Sequence, residues 1–383
     1  MRTAPAWSNR ADAGPDRSSR LLPCERRESP VERRPPPSCR CPEHRHANQS
    51  APFGPVWIRP EVPTPRGPRL PPVRVVSGDR PAGSVVRVSA PEGVRATALL
   101  TAYARAQESA RPDRLFDDPW ARLFVREATA FTGEGLPRMG MARDENISPL
   151  WHAFSSYFAA RTPFYDERLR RAVEAGARQV VLLGASMDTR AYRLGLPGGT
   201  TVFEVDSGSV LEFKNGVLTR HGARATCRRV PVPVDVRDAW DGPLVEAGFR
   251  RDEPVVWLAE GLLMYFTAQE SDRLLARVTA CSGERALLLT EYPARMVDEA
   301  TMTARATDEA ERISAMMMAN VVHSGPGGEP AEWLARHGWA GEVTDIAAQL
   351  RRWGRDVPDV FADAPDRVPV WLMAATPGQG TTR

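Results

Sequence analysis

Residues 179–194 read QVVLLGASMDTRAYRL. Gln179–Leu183 is a short apolar run rich in Val and Leu, the pattern of a strand buried on both faces of a parallel sheet. Gly184 ends the run, a small-residue loop follows, and from Asp188 onward the spacing turns helical. A strand that breaks at glycine and leads into a helix brings backbone N–H groups close to a ligand. The stretch predicts one βα turn of an open α/β sheet, shaped as a cofactor cradle.

Three further apolar runs keep the same phase. Residues 201–205 lead into Asp206 within VFEVD, 22 positions after Gly184, close to the spacing of a βαβ unit. Residues 230–234 end at Asp235 in PVDVRDAW, and residues 255–259 end at Glu260 in VVWLAEGLLMYF. Ligands of open α/β sheets bind outside the carboxyl ends of the strands, and scattered surface acids would not repeat this phase. Asp206 is placed to accept hydrogen bonds from ribose hydroxyls, a feature shared by nicotinamide and S-adenosylmethionine enzymes. Asp235 suits either the adenine amino group or the N-cap of a turn at residues 237–240. Glu260 either faces the reacting end of the pocket or caps the segment after it.

Taken together, these segments resemble the leucine carboxyl methyltransferase-like family of class I S-adenosylmethionine-dependent methyltransferases. They are closest to its actinobacterial branch, which includes polyketide O-methyltransferases. The resemblance runs from about Gly93 to about Ala375 and includes GVRATALLTAYARAQES, LFDDPWARLF, ARTPFYDERLRRAVEAGARQVVLLGASMDTRAYRL and VFEVDSGSVLEFK. It implies a Rossmann-like seven-stranded, mostly parallel sheet with an antiparallel last strand, helices on both faces and an N-terminal helical cover. It implies S-adenosyl-L-methionine as methyl donor. By position, Arg161 in ARTPF should approach the methionine carboxylate, and Gly184 should line the methionine and ribose portion. Asp206 should bind the ribose hydroxyls, and Asp235 with the backbone of Val236 should sit at the adenine. Glu260 should lie near the methionine ammonium or the floor of the active site. Relatives usually read GAGLDTR where this chain reads GASMDTR, so Ser186 stands at a glycine position. If that position needs positive φ, serine adds strain.

The first 90 of the 383 residues differ from the rest. They hold 17 of the 35 prolines and 16 arginines against 8 acids, a net of +8, whereas the whole chain carries +3. By subtraction, residues 91–383 carry about −5, so the basic balance belongs to the leader. With no sustained period, residues 1–90 read as a disordered Pro/Arg-rich extension and residues 91–383 as the methyltransferase domain. Lys214 is the single lysine among 51 basic residues, a GC-rich coding bias that makes abundant arginine weak evidence for nucleic-acid binding. Cys24, Cys39, Cys41, His44 and His46 lack the paired spacing of a zinc site, so no metal is expected. Five cysteines do not suggest a disulfide framework, and no apolar run reaches membrane-spanning length, so a cytoplasmic protein is expected.

Residues 97–107 and 120–124 have helical spacing. Residues 149–164 carry Trp151, Phe154, Tyr157, Phe158 and Phe164, either core packing or a pocket for a planar substrate. Arg161 within them suits a fork for a carboxylate, because guanidinium is rarely buried unpaired. Residues 286–291 read as a fifth strand, 296–322 as helical and methionine-rich, 343–353 as a helix and 367–375 as a last strand. The methionines fit either ordinary packing or a substrate wall. No Ser/His/Asp or metal constellation is visible, which suits methyl transfer by positioning to a carboxylate or a phenolic or hydroxyl oxygen of a small molecule. The competing readings are an NAD(P)-dependent oxidoreductase, which would leave Asp235 and Glu260 unexplained, and a non-catalytic cofactor-binding module.

Overall fold

The computed structural model describes residues 95–132, 148–295, 297–320, 322–323, 325–364 and 367–378. The expected extension at 1–90, its boundary, and the Cys24, Cys39, Cys41, His44 and His46 group lie outside the described residues. Seven strands form one sheet: β1 (Gln179–Leu183), β2 (Thr201–Asp206), β3 (Arg228–Pro233), β4 (Val255–Ala259), β5 (Ala286–Pro293), β6 (Trp339–Asp345) and β7 (Val370–Pro377). Their order is β3-β2-β1-β4-β5-β7-β6. Neighbours from β3 to β5 pair in parallel, and β7 lies antiparallel between β5 and β6. The chain runs outward from β1 to β3, then returns to place β4 on the other side of β1. That reversal opens a crevice at the carboxyl ends of β1 and β4, where doubly wound sheets bind ligands.

The helices are α1 (Arg95–Ala110), α2 (Ala121–Thr132) and α3 (Pro149–Glu174) before the sheet, then α4 (Arg190–Arg193), α5 (Gly208–Arg220), α6 (Asp241–Glu246), α7 (Ala268–Ala280), α8 (Glu299–Ala304), α9 (Glu309–Ala319), α10 (Pro330–Arg336) and α11 (Ile346–Arg352). Ser148 caps α3 by accepting the Trp151 N–H at 3.1 Å, with Pro149 at its first position, where no N–H is needed. All five residues of β1 are buried, and alternate ones face opposite layers. Val181 and Leu183 join Phe203, Trp240, Trp257 and Leu274 on one face. Val180 and Leu182 join Phe164, Tyr165, Leu169 and Val173 of α3 on the other. This two-sided burial is why the strands read as unbroken apolar runs. Ala98, Leu99 and Ala102 of α1 and Phe124 of α2 pack with Val210, Phe213 and Val217 of α5 and with Met187 of the glycine turn, forming the N-terminal helical cover.

One expectation needs correcting. Residues 343–345 do not begin a helix; they complete β6, and the helix starts at Ile346. As an edge strand paired only to β7, β6 exposes Ala340, Gly341 and Glu342 and shows no apolar run. Asp345 then caps α11 by accepting the Ala347 N–H at 2.9 Å. The methionine-rich stretch expected to be helical forms two helices, α8 and α9. No helix among the described residues is long and apolar enough to cross a membrane.

Candidate cofactor site and acceptor pocket

The strand-end residues converge at the carboxyl edge of the sheet. Gly184 takes φ +66°, and Ser186 takes φ +39°, the one positive-φ non-glycine among the described residues. The serine thus occupies the left-handed conformation that favours the glycine of relatives. The first three N–H groups of the turn are already engaged. Gly184 and Ala185 donate to the Val205 carbonyl at 3.0 and 3.1 Å, and Ser186 donates to Asp206 Oδ2 at 2.7 Å.

Asp206 also accepts the Ser207 N–H at 2.7 Å on Oδ1. Burial pushes its carboxyl up, and the Ser186 and Ser207 donors pull it back. Each oxygen holds one backbone donor and keeps acceptor capacity, which fits the two hydroxyls of a ribose. Asp235 lies two residues beyond β3, exposed, and its Oδ1 accepts the Arg237 N–H at 2.9 Å. This is the turn-capping geometry, and it leaves the second oxygen toward solvent. The Val236 side chain is buried in the main core with Val205 and Leu262, so its backbone is held beside the turn.

Arg161 and Glu260 come together, but not as a free fork and a free acid. Arg161 Nε lies 3.0 Å from Glu260 Oε1, and its Nη1 donates to Glu291 Oε1 at 3.0 Å. The guanidinium stacks within 4.5 Å of the Tyr157 ring centre and 4.8 Å of that of Phe158. Gly261 is required by this approach: at φ +65°, a Cβ there would fall 2.9 Å from Arg161 Nη1 and Nη2. Glu291 is the hub, also accepting the Tyr157 hydroxyl at 2.8 Å, the Tyr165 hydroxyl at 2.6 Å and the Gly261 N–H at 2.6 Å. Glu260 Oε2 meets Arg190 Nη1 at 2.6 Å, and Arg190 also pairs with Asp188 and, at 2.7 Å, with Asp166. Asp166 binds Arg193 as well, and Arg105 of the helical cover pairs with Asp118 and donates to the Met187 carbonyl at 2.6 Å. A chain of buried ion pairs therefore fastens the glycine turn to α1, α3 and the end of β4.

Glu291, Asp188, Arg190 and Asp166 were not singled out by the sequence reading. A signal existed for two sets of them. The fifth apolar run ends on Glu291 in the phase of the other strand-end acids, and Asp188 and Arg190 fall within the quoted turn.

Beside Arg161 and Gly261 opens a pocket. Its walls are almost wholly apolar: Phe154, Tyr157 and Phe158 from α3, Met302 and Met318 from α8 and α9, and Phe361 before β7. The aromatic stretch thus divides, since Trp151 and Phe164 are core while three of its rings face the pocket. Met318 lines the pocket, whereas Met316 is exposed on the outer face of α9. Among the described lining residues there is no Asp, Glu, His, Lys or Cys; the charged ones are Arg161, Arg295 and Arg305.

The strand order, the single antiparallel last strand and the acid at the end of β2 define a class I, Rossmann-like methyltransferase. Comparison with known proteins agrees. Residues 98–279 match the family model described as leucine carboxyl methyltransferase. A protein from Parafrankia sp., named "Putative S-adenosyl-L-methionine-dependent methyltransferase", is 40% identical over 264 residues, 68% of this chain and 82% of that protein. One of the same name from Mycolicibacterium paratuberculosis is 40% identical over 274 residues, 71% and 88% of the two chains. A solved structure of a duf574 family protein from Streptomyces avermitilis aligns with TM-score 0.42 at 15% identity, covering 73% of this chain and 97% of that one. At that score the likeness adds nothing to the sheet order seen directly. The chain belongs to the leucine carboxyl methyltransferase family, and it is an S-adenosyl-L-methionine-dependent methyltransferase.

Proposed function

We propose that this enzyme transfers the methyl group to an oxygen of an apolar small molecule held in the pocket beside Arg161, that oxygen being a carboxylate or an acidic phenol rather than an alcohol. In this reading Asp206 holds the ribose hydroxyls, Asp235 and the Val236 backbone border the adenine, and Gly184 lines the methionine and ribose portion. Arg161 and Glu260 flank the methionine end, and residues 91–383 form the catalytic unit.

When bound, S-adenosylmethionine supplies a methyl carbon already activated by its sulfonium sulfur. The chain's own residues then have three tasks. The apolar walls exclude water and hold the acceptor in line. Arg161 borders the pocket with its charge offset by Glu260 and Glu291, each 3.0 Å away. Among the described wall residues none is an Asp, Glu, His, Lys or Cys that could take the acceptor's proton. Of the phenols, Tyr157 donates to Glu291, and burial pushes it well above the usual tyrosine range. An alcohol would need a general base to lose its proton, whereas a carboxylate is ionised at neutral pH and a guanidinium lowers a phenol's pKa. The absence of a base among the described wall residues carries this choice of oxygen.

The first test is calorimetric titration of the full chain with S-adenosylmethionine, NAD and NADP in parallel. Saturable binding of S-adenosylmethionine alone is expected. The second is transfer of a labelled methyl group to matched panels of apolar carboxylic acids, phenols and alcohols. Turnover confined to alcohols would overturn the assignment of the oxygen.

A further inference from the structure

Buried and half-buried arginines around the site pair with acids. Arg105, Arg161, Arg190, Arg193, Arg229 and Arg355 each meet at least one carboxylate. Arg305 does not. It is half-buried at the end of α8, in the pocket wall next to Met302, and no acid among the described residues lies within ion-pairing distance. Its one described hydrogen bond runs from Nη1 to the Thr301 carbonyl at 3.0 Å, which leaves most of the guanidinium's donors unused. Arg295, across the same lining, spends its Nε and Nη2 on the Arg367 carbonyl at 3.2 and 3.0 Å. A guanidinium in an apolar wall without a counter-ion favours an anion that arrives with the ligand.

We infer that Arg305 is a specificity-determining anchor for a carboxylate on the acceptor, so that the acceptor is an apolar acid rather than a neutral apolar molecule. The inference rests on the pocket being the acceptor site of the methyltransferase. Two observations separate the anchor from the reacting centre. Arg305 follows α8, in the region inserted after β5, whereas the candidate cofactor residues sit at the ends of β1, β2 and β4, after β3 and, for Arg161, on α3 across the pocket lining. An oxygen held in a close guanidinium pair also loses nucleophilicity, so the group at Arg305 fixes the acceptor's orientation while another oxygen reacts.

The test measures binding of two probe pairs to the full chain by calorimetry, with and without S-adenosylmethionine: decanoate against decanamide, and 2-naphthoate against 2-naphthamide. In the native protein at least one acid should bind tenfold or more tightly than its amide. In Arg305→Gln that preference should vanish while the affinity for S-adenosylmethionine stays unchanged, and Arg305→Lys should restore part of it. Equal binding of acid and amide in both pairs, or a preference that survives Arg305→Gln, would overturn the proposal. Loss of S-adenosylmethionine binding in the native protein would instead sink the methyltransferase reading, which this readout keeps separate. Circular dichroism of Arg305→Gln confirms that a lost preference is not a lost fold.

Discussion

The carboxylate of Asp206 holds the backbone of Ser186: Oδ2 accepts its N–H at 2.7 Å across 20 positions of chain, at the one described non-glycine residue with positive φ. The residue expected to bind the ribose therefore also braces the turn that would lie beneath the cofactor. Binding and local conformation are linked through a single side chain.

Asp206→Asn separates the two roles. Burial raises the carboxyl pKa in the folded state, so the stability this group contributes is present below its unfolded value and lost as pH rises through the folded one. At pH 8 the charged group is thus a burden on the ligand-free protein. The amide removes that burden but has a single acceptor oxygen, so it keeps only one of the Ser186 and Ser207 N–H groups and turns its NH2 toward the other. The lost hydrogen bond, worth about 1 kcal/mol, offsets the relief, and Asp206→Asn should remain folded with a midpoint near the native one. Its affinity for S-adenosylmethionine should fall tenfold or more, since a hydrogen bond to a charged acceptor is worth about 1.5–3 kcal/mol. Unchanged affinity in this folded variant would reject Asp206 as the ribose ligand.

Ser186→Gly should stabilise the protein. A left-handed non-glycine residue costs about 1–2 kcal/mol, while glycine's additional freedom in the unfolded chain costs about 0.5–1 kcal/mol. The net gain is up to about 1.5 kcal/mol, readable in urea denaturation. A loss of stability would mean that the serine hydroxyl makes a contact outweighing the strain.

Glu291→Ala removes one acceptor and leaves four donors around a buried space. Breaking one side of a buried ion pair costs about 3–5 kcal/mol, so this variant should unfold well below the native midpoint. Gly261→Ala attacks the same centre from the backbone. Its Cβ would press on Arg161 at 2.9 Å and sit at φ +65°, so a loss of about 1–3 kcal/mol and weaker cofactor binding are expected. Native-like melting of both variants would show that the hub does not hold Arg161 in place.

Acid should weaken the network through Asp188. Burial opposes its charge, but Arg190, with Lys214 and Arg193, holds its carboxyl down at about 2. A depressed folded pKa contributes stability above the unfolded value, about 4, that is lost as pH falls through the folded one. Between pH 4 and 2 the native protein should lose about 2 kcal/mol through this group. Asp166, lowered by Arg193 and Arg190 against its burial, adds to the same limb. Denaturation curves across this range should be flatter for Asp188→Asn than for the native chain; equal slopes would remove Asp188 from the account.

Much of the framework was legible in the sequence because strand burial is a local signal. β1, β2 and β4 are buried on both faces, so each appears as an apolar run, and each stops at a glycine or acid where the chain leaves the sheet. β6 was not legible, because an edge strand with an exposed middle carries no such run. Arg161 and Glu260 were both visible, but their pairing was not: a charged residue shows its type in the sequence and not its partner.

The sequence by itself determined the strands along the chain other than β6, the acids at several of their ends and the family. The tertiary structure decided what those acids do. Glu291 reaches Arg161 across 130 positions, and Asp166 reaches Arg190 across 24. The apolar pocket draws its walls from α1, α3, the segment after β4, α8, α9 and the approach to β7. Hydrophobic period and turn chemistry act over a few neighbouring residues, so one chain read in order reveals them. Charge pairing and cavity shape depend on which buried faces meet, and those meetings exist only once the sheet has closed against its helices.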